Sequence, residues 1–340
     1  TTTGSNNVAV GHEALVTAQT ADNNTAVGNQ ALKFNTSGTA NVAVGAASYD
    51  ANTTGSYGTA VGMSSLGANT SGIHNTAIGY TALQANTSGD RNAAFGSGTM
   101  GANTTGIQNT AVGQNSLAIN TTGSYNTAVG RSALQNSTTA NNNTAVGYNA
   151  LTSNTTGTSN VAVGYKALDA TTSVANNTAV GYNAMTNTSS GSQNTALGRA
   201  ALNDNTTGNN MVAVGYNALA ANTTSSGNTA VGHQALTANT TGSGNIAVGK
   251  AALSVNTTGN YNVAIGQNSL DANSASNNTA VGHDALTANT SGSSNTAVGA
   301  ESLKSLTTSI DCTAVGYQAG AQGNGTQNTF VGRRAGYGGG

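Results

Sequence analysis

Apolar and polar positions recur along the whole chain at every seventeenth position. The marker is the glycine that closes each Ala-Val-Gly-type triplet; twenty such glycines divide the 340 residues, 17 apart in seventeen steps and 16 apart in two. Counting from this glycine as slot 0, the recurring coil reads Asn-Thr-Ala-Val-Gly-x-x-Ala-Leu-x-x-Asn-Thr-Thr-Gly-Ser-x. Because one repeat is too short for two helices and a turn, the period predicts a stack of strands.

Within each coil, slots −3 to −1 alternate β-branched, small and β-branched side chains, which is the period of a β-strand. Slot −1 is Val, Ile, Leu or Phe in all twenty coils, slot −2 is Ala in nineteen, and slot +4 is Leu or Met in seventeen. We expect one strand over Thr-Ala-Val and a second short strand at slots +3 and +4, joined by turns rich in Gly and Asn. The predicted fold is all-β, a parallel β-solenoid of about twenty coils.

The array is predicted to be a single domain over residues 1–340, with atypical terminal coils over 317–340. There Gly320 and Gly336 replace the Leu of slot +4, and Phe330 replaces the Ala of slot −2. Asn recurs at slot −4 in seventeen coils and at slot +7 in thirteen. Stacked in register, these amides are expected to form hydrogen-bonded ladders along the solenoid.

Two sets of residues are assigned by this pattern. The core is predicted to contain the slot −1 and slot +4 columns, namely Val129, Val146, Val163, Leu134, Leu151 and Leu168. The near-constant slot −2 predicts a packing interface against another chain or against the opposite wall of the coil, with another chain favoured, at Ala128, Ala145 and Ala162. Because so thin a coil buries little apolar area, side-by-side association into a homotrimer is expected.

Charge and composition exclude several functions. Only 6% of the residues are charged and the net charge is −1, so nothing favours binding to nucleic acid or to an anionic membrane. No apolar run is long enough to insert into a membrane. The single Cys312 cannot form an intrachain disulfide.

Candidate chemistry is sparse, and the chain is predicted not to be an enzyme and to need no cofactor or metal. Three of the four histidines share slot +1 but lie too far apart for one metal ion. Asp284 and Glu301 share slot +2 in adjacent coils, at about the separation of a retaining glycosidase pair. A glycan-binding or glycan-degrading fibre enzyme using this pair is therefore one alternative function.

Two further surface patterns suggest binding. Tyr148, Tyr165 and Tyr182 occupy slot +1 in three successive coils and form a candidate glycan-contact stripe, with cross-coil packing as the competing explanation. The recurring threonines raise ice binding, or another repetitive-surface function, as a second alternative. Against it, slot −3 mixes Thr with Val, Ile and Ala.

The coil Asn143-Thr144-Ala145-Val146-Gly147-Tyr148-Asn149-Ala150-Leu151 resembles the repeat arrays of bacteriophage tail-fibre proteins and the head repeats of trimeric autotransporter adhesins. The adhesin coils are shorter than the coil of this chain, so their detailed geometry does not transfer. The resemblance implies a parallel β-roll fibre, often trimeric, that serves for reach and attachment on a virion or cell surface. It also implies an extracellular location and host or surface glycans as partners.

Overall fold

The fold is described by a computed structural model that covers residues 3–323 and 325–338. Thr1, Thr2, Asn324, Gly339 and Gly340 lie outside the described residues, and the last three of these belong to the predicted terminal coils. The chain forms two compact units, Thr1–Ala175 and Asn176–Gly340. The same strand and turn pattern runs through both units, with ten strands in each.

Every strand has three residues and ends one residue before the slot 0 glycine. The strands of the first unit are β1 Val8–Val10, β2 Thr25–Val27, β3 Val42–Val44, β4 Thr59–Val61, β5 Thr76–Ile78, β6 Ala93–Phe95, β7 Thr110–Val112, β8 Thr127–Val129, β9 Thr144–Val146 and β10 Val161–Val163. Those of the second unit are β11 Thr178–Val180, β12 Thr195–Leu197, β13 Val212–Val214, β14 Thr229–Val231, β15 Ile246–Val248, β16 Val263–Ile265, β17 Thr279–Val281, β18 Thr296–Val298, β19 Thr313–Val315 and β20 Thr329–Val331.

Within each unit, successive strands pair in parallel and in register. Ala145 of β9, for example, lies beside Ala162 of β10, and equal slots pair in the same way along both stacks. No helix occurs in the described residues. The predicted all-β fold, a parallel solenoid with one short coil per repeat, is therefore confirmed.

The two faces of the strand are the reverse of those predicted. Ala128, Ala145 and Ala162 are fully buried inside the single chain, so the favoured contact with a neighbouring chain is wrong for them, and the alternative, packing against the rest of their own coil, fits. The slot −1 residues Val129, Val146 and Val163 are only half-buried and face outward, so their assignment to the core is wrong. So short a coil closes so tightly that its interior accommodates the small side chain of the strand and leaves the β-branched ones outside.

The other predicted core column is confirmed. Leu134, Leu151 and Leu168 are fully buried, as are nearly all residues at slot +4. They do not lie on a second strand, however, because slots +2 and +4 have positive φ, as at Asn149 (54°) and Leu151 (52°). A side chain on left-handed backbone costs about 1–2 kcal/mol, and the buried leucine column offsets that cost.

The slot 0 glycine is required by a close approach between coils. Gly147 has φ of 135°, and a Cβ added there would lie 2.4 Å from the carbonyl oxygen of Gly164 in the next coil. No other residue fits that contact. The glycine therefore sets the spacing at which adjacent coils stack.

Buried asparagines link the coils, as predicted. At slot +7, Asn103 donates to the side-chain oxygen of Asn86 at 2.9 Å, and Asn120 donates to that of Asn103 at 2.7 Å. At slot −4, the side-chain oxygen of Asn126 accepts the backbone N–H of Asn143 at 3.0 Å. Such ladders satisfy polar groups that would be costly to bury unpaired.

The same asparagines also close each coil on itself. In the coil of Gly96, both Asn92 and Asn103 donate to the carbonyl oxygen of Gly106, at 2.8 and 3.1 Å. The carbonyl at slot +10 thus receives two amide donors from opposite sides of one coil. One side-chain type therefore fixes both the shape of a coil and its register with the next.

Departures from the consensus compensate one another. Tyr49 takes the place of Leu at slot +4, and Gly58 takes the place of Asn at slot −4 of the following coil. The Tyr49 hydroxyl donates to Gly72 O (3.3 Å) and accepts from Asn69 (3.2 Å), so it replaces the missing amide. In the terminal coils, the ring of Phe330 fills the space beside Gly320 and Gly336, where a Cβ would lie 2.6 and 2.3 Å from the ring.

Candidate binding surface

Many of the tyrosine, histidine and basic side chains of the protein lie at slot +1, directly after the strand and its glycine. This column of twenty positions holds six of the 11 tyrosines, three of the 4 histidines and four of the 9 lysines and arginines, but no carboxylate. An even spread of these residue types over the chain would place only one or two of them in so few positions. The tyrosines and histidines were found from the sequence; the basic residues were missed, although counting charges by slot reveals them.

In the first unit, the column stacks over three successive coils. The rings of Tyr148 and Tyr165 are 5.5 Å apart and nearly parallel, at 10°. Arg131 of the preceding coil lies 5.8 Å from the Tyr148 ring, and Lys166 lies 5.8 Å from the Tyr165 ring. Tyr148 therefore has a neighbour on each face and presents its ring edge to solvent.

In the second unit, a longer stack is formed by alternating aromatic and basic groups. The Arg199 guanidinium lies 5.7 Å from the Tyr182 ring and 5.5 Å from the Tyr216 ring. The Tyr216 ring stacks on His233 at 5.1 Å. Lys250 follows in the next coil, and all five side chains are exposed. We call Tyr182, Arg199, Tyr216, His233 and Lys250 the basic ladder.

The stacking of these rings limits how the candidate glycan stripe, Tyr148, Tyr165 and Tyr182, can contact a sugar. Tyr148 and Tyr165 stack on each other as cross-coil packing predicts, and Tyr182 stacks with a guanidinium rather than standing with a bare ring. A sugar that packs on an aromatic ring needs an open face. The stripe therefore offers ring edges, hydroxyls and cations to a ligand, not open faces.

The carboxylates Asp284 and Glu301 lie beside one ammonium group. Lys304 Nζ is 3.0 Å from an Asp284 oxygen and 3.7 Å from a Glu301 oxygen. Burial acts to raise the pKa of Asp284, but hydrogen bonds from Lys304 and Asn268 outweigh it and hold the pKa below its ordinary value. A general acid requires the opposite shift. In the described residues no cavity opens beside the pair.

The strand face forms a second candidate surface. Slots −3 and −1 point outward, so each unit exposes a column that is mostly Thr or Val beside a column of Val, Ile, Leu or Phe. Val44, Phe95 and Ile265 are each close to 40% exposed. A contiguous apolar face of this length is unusual on an isolated soluble chain and typically marks an interface.

Metal and membrane binding have no candidates in the described residues. Across 3–323 and 325–338, no three His, Cys, Asp or Glu side chains are grouped where a metal ion could bind. No helix in that part of the chain is long and apolar enough to span a membrane. Cys312 is buried, and its Sγ lies 3.0 Å from Gly325 O, in the place where the other coils have an asparagine amide.

Comparison with protein-family models and with curated proteins gives no match for this chain. The class of protein that can be stated is therefore the one defined by the fold, a β-solenoid repeat protein.

Proposed function

We propose that the chain is a shaft segment of an extracellular fibre or adhesin, which extends a virion or cell-surface appendage for attachment. The observation that carries the proposal is that, within each unit, every strand is hydrogen-bonded to the strand of the next coil, and buried asparagines add hydrogen bonds between many of the coils. The buried slots −2 and +4 hold one type of residue in nearly every coil, whereas the exposed slot +1 varies widely. This distribution suits a protein whose task is length and stiffness, with specificity added on its surface.

Immunogold labelling tests the location. Antibodies raised against the purified chain are applied to intact cells or virions that produce it and, in parallel, to sectioned cells. Labelling along filaments that project from the surface supports the shaft. Labelling confined to the interior of cells would contradict it.

The shaft is further proposed to self-associate as a homotrimer through the strand face. The apolar column at slot −1 continues through all twenty coils, and a second copy presents the same column with the same spacing. In each unit, the ten side chains of this column expose on the order of several hundred Å² of apolar surface to solvent. With the Thr column added, the area approaches the roughly 800 Å² per partner of a stable interface.

Multi-angle light scattering tests this assembly. The purified chain is expected to have three times the mass of one copy. The triple variant Val129→Lys, Val146→Lys, Val163→Lys should reduce association while the circular dichroism spectrum is retained, because these side chains face outward. The single exposed change Gln114→Lys, at slot +1, is the control. A monomeric mass for the wild-type chain would refute self-association.

Ice binding is kept as a second candidate because the outward face is a regular array with Thr at slot −3 in thirteen coils. Thermal hysteresis of the purified chain measures it directly, and its absence would eliminate this function. The contacts of Asp284 and Glu301 do not favour the glycan-degrading alternative. Cleavage of a surface polysaccharide that disappears in Glu301→Gln would revive it.

A further inference from the structure

The basic ladder of the second unit presents stacked cations and aromatic rings along five successive coils. We propose that it binds a linear acidic polysaccharide, a sugar chain that carries carboxylate or sulfate groups. The inference rests on the proposed function only in that such polymers are met outside the cell. It adds the chemical class of ligand and the residues that recognise it.

The charges of the ladder are not neutralised within the protein. Between residues 176 and 270 the basic residues are Arg199 and Lys250, and the single carboxylate is Asp204. Asp204 accepts hydrogen bonds from Asn187 at 3.0 Å and from Asn203 at 2.7 Å. Among the described residues, no ion pair includes Arg199 or Lys250. Both cations are therefore available to an external anion.

The stacking orients the arginine for anion binding. The rings of Tyr182 and Tyr216 occupy the space on either side of the Arg199 guanidinium, in the coils before and after it. Arg199 is nevertheless exposed, so its N–H groups can be reached by a ligand from solvent. A planar fork of N–H donors matches the two oxygens of a carboxylate or sulfate group. Holding the side chain in place beforehand lowers the entropy lost on binding.

The rings select against other ligands. Bases of single-stranded nucleic acid bind by stacking on free aromatic faces, but the Tyr216 ring is covered by Arg199 and His233. A neutral sugar also needs an open face. What remains exposed is the ring edge, which carries partial positive charge, and the phenol hydroxyl, which donates hydrogen bonds. Both favour a ligand rich in negatively charged oxygens.

The repeat favours a polymer over a small anion. Successive rungs of the ladder are separated by the strand spacing, about 4.8 Å. A chain with a charged group on each sugar, or on alternate sugars, can therefore contact several rungs at once. Linked contacts strengthen one another through high effective concentration.

Affinity electrophoresis tests the inference with defined probes at low ionic strength. Gels contain alginate, dextran sulfate or neutral dextran, and the intact chain is the migrating protein. Alginate or dextran sulfate should retard the wild-type chain, and dextran should not. Arg199→Gln should weaken binding about tenfold, because a charge-assisted hydrogen bond is lost. Tyr216→Leu should weaken binding several-fold with no change in charge, because the orientation of Arg199 is lost.

The matched control is Arg91→Gln, an exposed arginine at slot −5 of the first unit, which should bind like the wild-type chain. Failure of both acidic polymers to retard the protein would overturn the inference, as would equal retardation by dextran. Equal loss in the control, or tighter binding of oligo-dT than of alginate, would also overturn it. Surface labelling without polysaccharide binding would refute the proposed ligand but not the proposed shaft function. Polysaccharide binding without surface labelling would refute the proposed shaft function but not the proposed ligand.

Discussion

Tyr49 at slot +4 and Gly58 at slot −4 of the following coil replace the consensus residues Leu and Asn. Restoring the consensus residues, singly and together, tests how one coil packs on the next. In Gly58→Asn alone, the new Cβ would lie 2.3 Å from Tyr49 Cε1, against a buried ring that cannot move aside. We expect a loss of about 1–3 kcal/mol from overpacking. In Tyr49→Leu alone, the ring volume is left empty beside Gly58 and two hydroxyl hydrogen bonds disappear. That loss is about 2–5 kcal/mol from the cavity alone.

The double variant Tyr49→Leu, Gly58→Asn restores the consensus of the other coils and should return to within about 1 kcal/mol of the wild-type stability. The two changes then couple by about 2 kcal/mol or more, which is toward the upper end for contacting residues. The assay is native-state hydrogen exchange read on peptides from residues 40–80. Exchange reports local opening, which suits a repeat array better than one global transition.

A transplant provides the matched control. Leu134 and Asn143 stand in the same relation as Tyr49 and Gly58, so Leu134→Tyr with Asn143→Gly should be tolerated better than either change alone. Additive losses in the two double variants would refute the compensation. They would mean that the two slots do not share one space inside the coil.

The remaining predictions concern the two strand faces, the ladders and acid stability. Ala145→Leu should lower the free energy of unfolding by about 1–3 kcal/mol and Val146→Thr by less than about 1 kcal/mol; equal losses in thermal unfolding would show that the faces are misassigned. Asn86→Ala, within a run of amide bonds, should cost about 2 kcal/mol and more than Asn154→Ala, whose side-chain oxygen has no partner. Because the folded pKa of Asp284 is lowered, its stabilising effect is present above about pH 4 and is lost as the pH falls further. The melting temperature should therefore fall less steeply in Asp284→Asn between pH 5 and pH 3, and parallel curves would contradict the ion pair.

The period, the parallel register and the asparagine ladders could be predicted because each depends only on repetition. Equal residues recur once in every repeat, so equal residues must stack wherever strands pair in register. The buried leucines followed from their size and constancy. None of these predictions required the path of the chain within a coil.

The path of the chain within a coil could not be predicted. Two errors follow from this: the reversed faces of the strand, and the second strand expected at slots +3 and +4. A strand of three residues fixes only which side chains share a face, and hydrophobicity favoured Val146 over Ala145 as the inward residue. The interior is too narrow for that choice. Leucine rarely adopts positive φ, so Leu151 was placed on a strand rather than in the left-handed conformation that it has.

The candidate surface was predicted in part. The tyrosine column was visible from its spacing, but the partners of Tyr216 depend on which side chains lean toward which coil. The relation between Tyr49 and Gly58 left a signal in the sequence, because two departures from the consensus occur in adjacent coils. Reading such departures in pairs would have found it.

The claim that one repeat forms one rung of a shaft is tested most directly by in-phase deletion within the first unit. Removing residues 75–159 joins His74 to Asn160, which has the same slot as Asn75, and takes out five coils. Small-angle X-ray scattering should show the first unit shortened by about 24 Å at an unchanged cross-section, given a strand spacing of about 4.8 Å. The out-of-phase deletion of residues 80–159 should disrupt the stack at the junction. An unchanged length, a change in cross-section, or equal tolerance of both deletions would contradict the account.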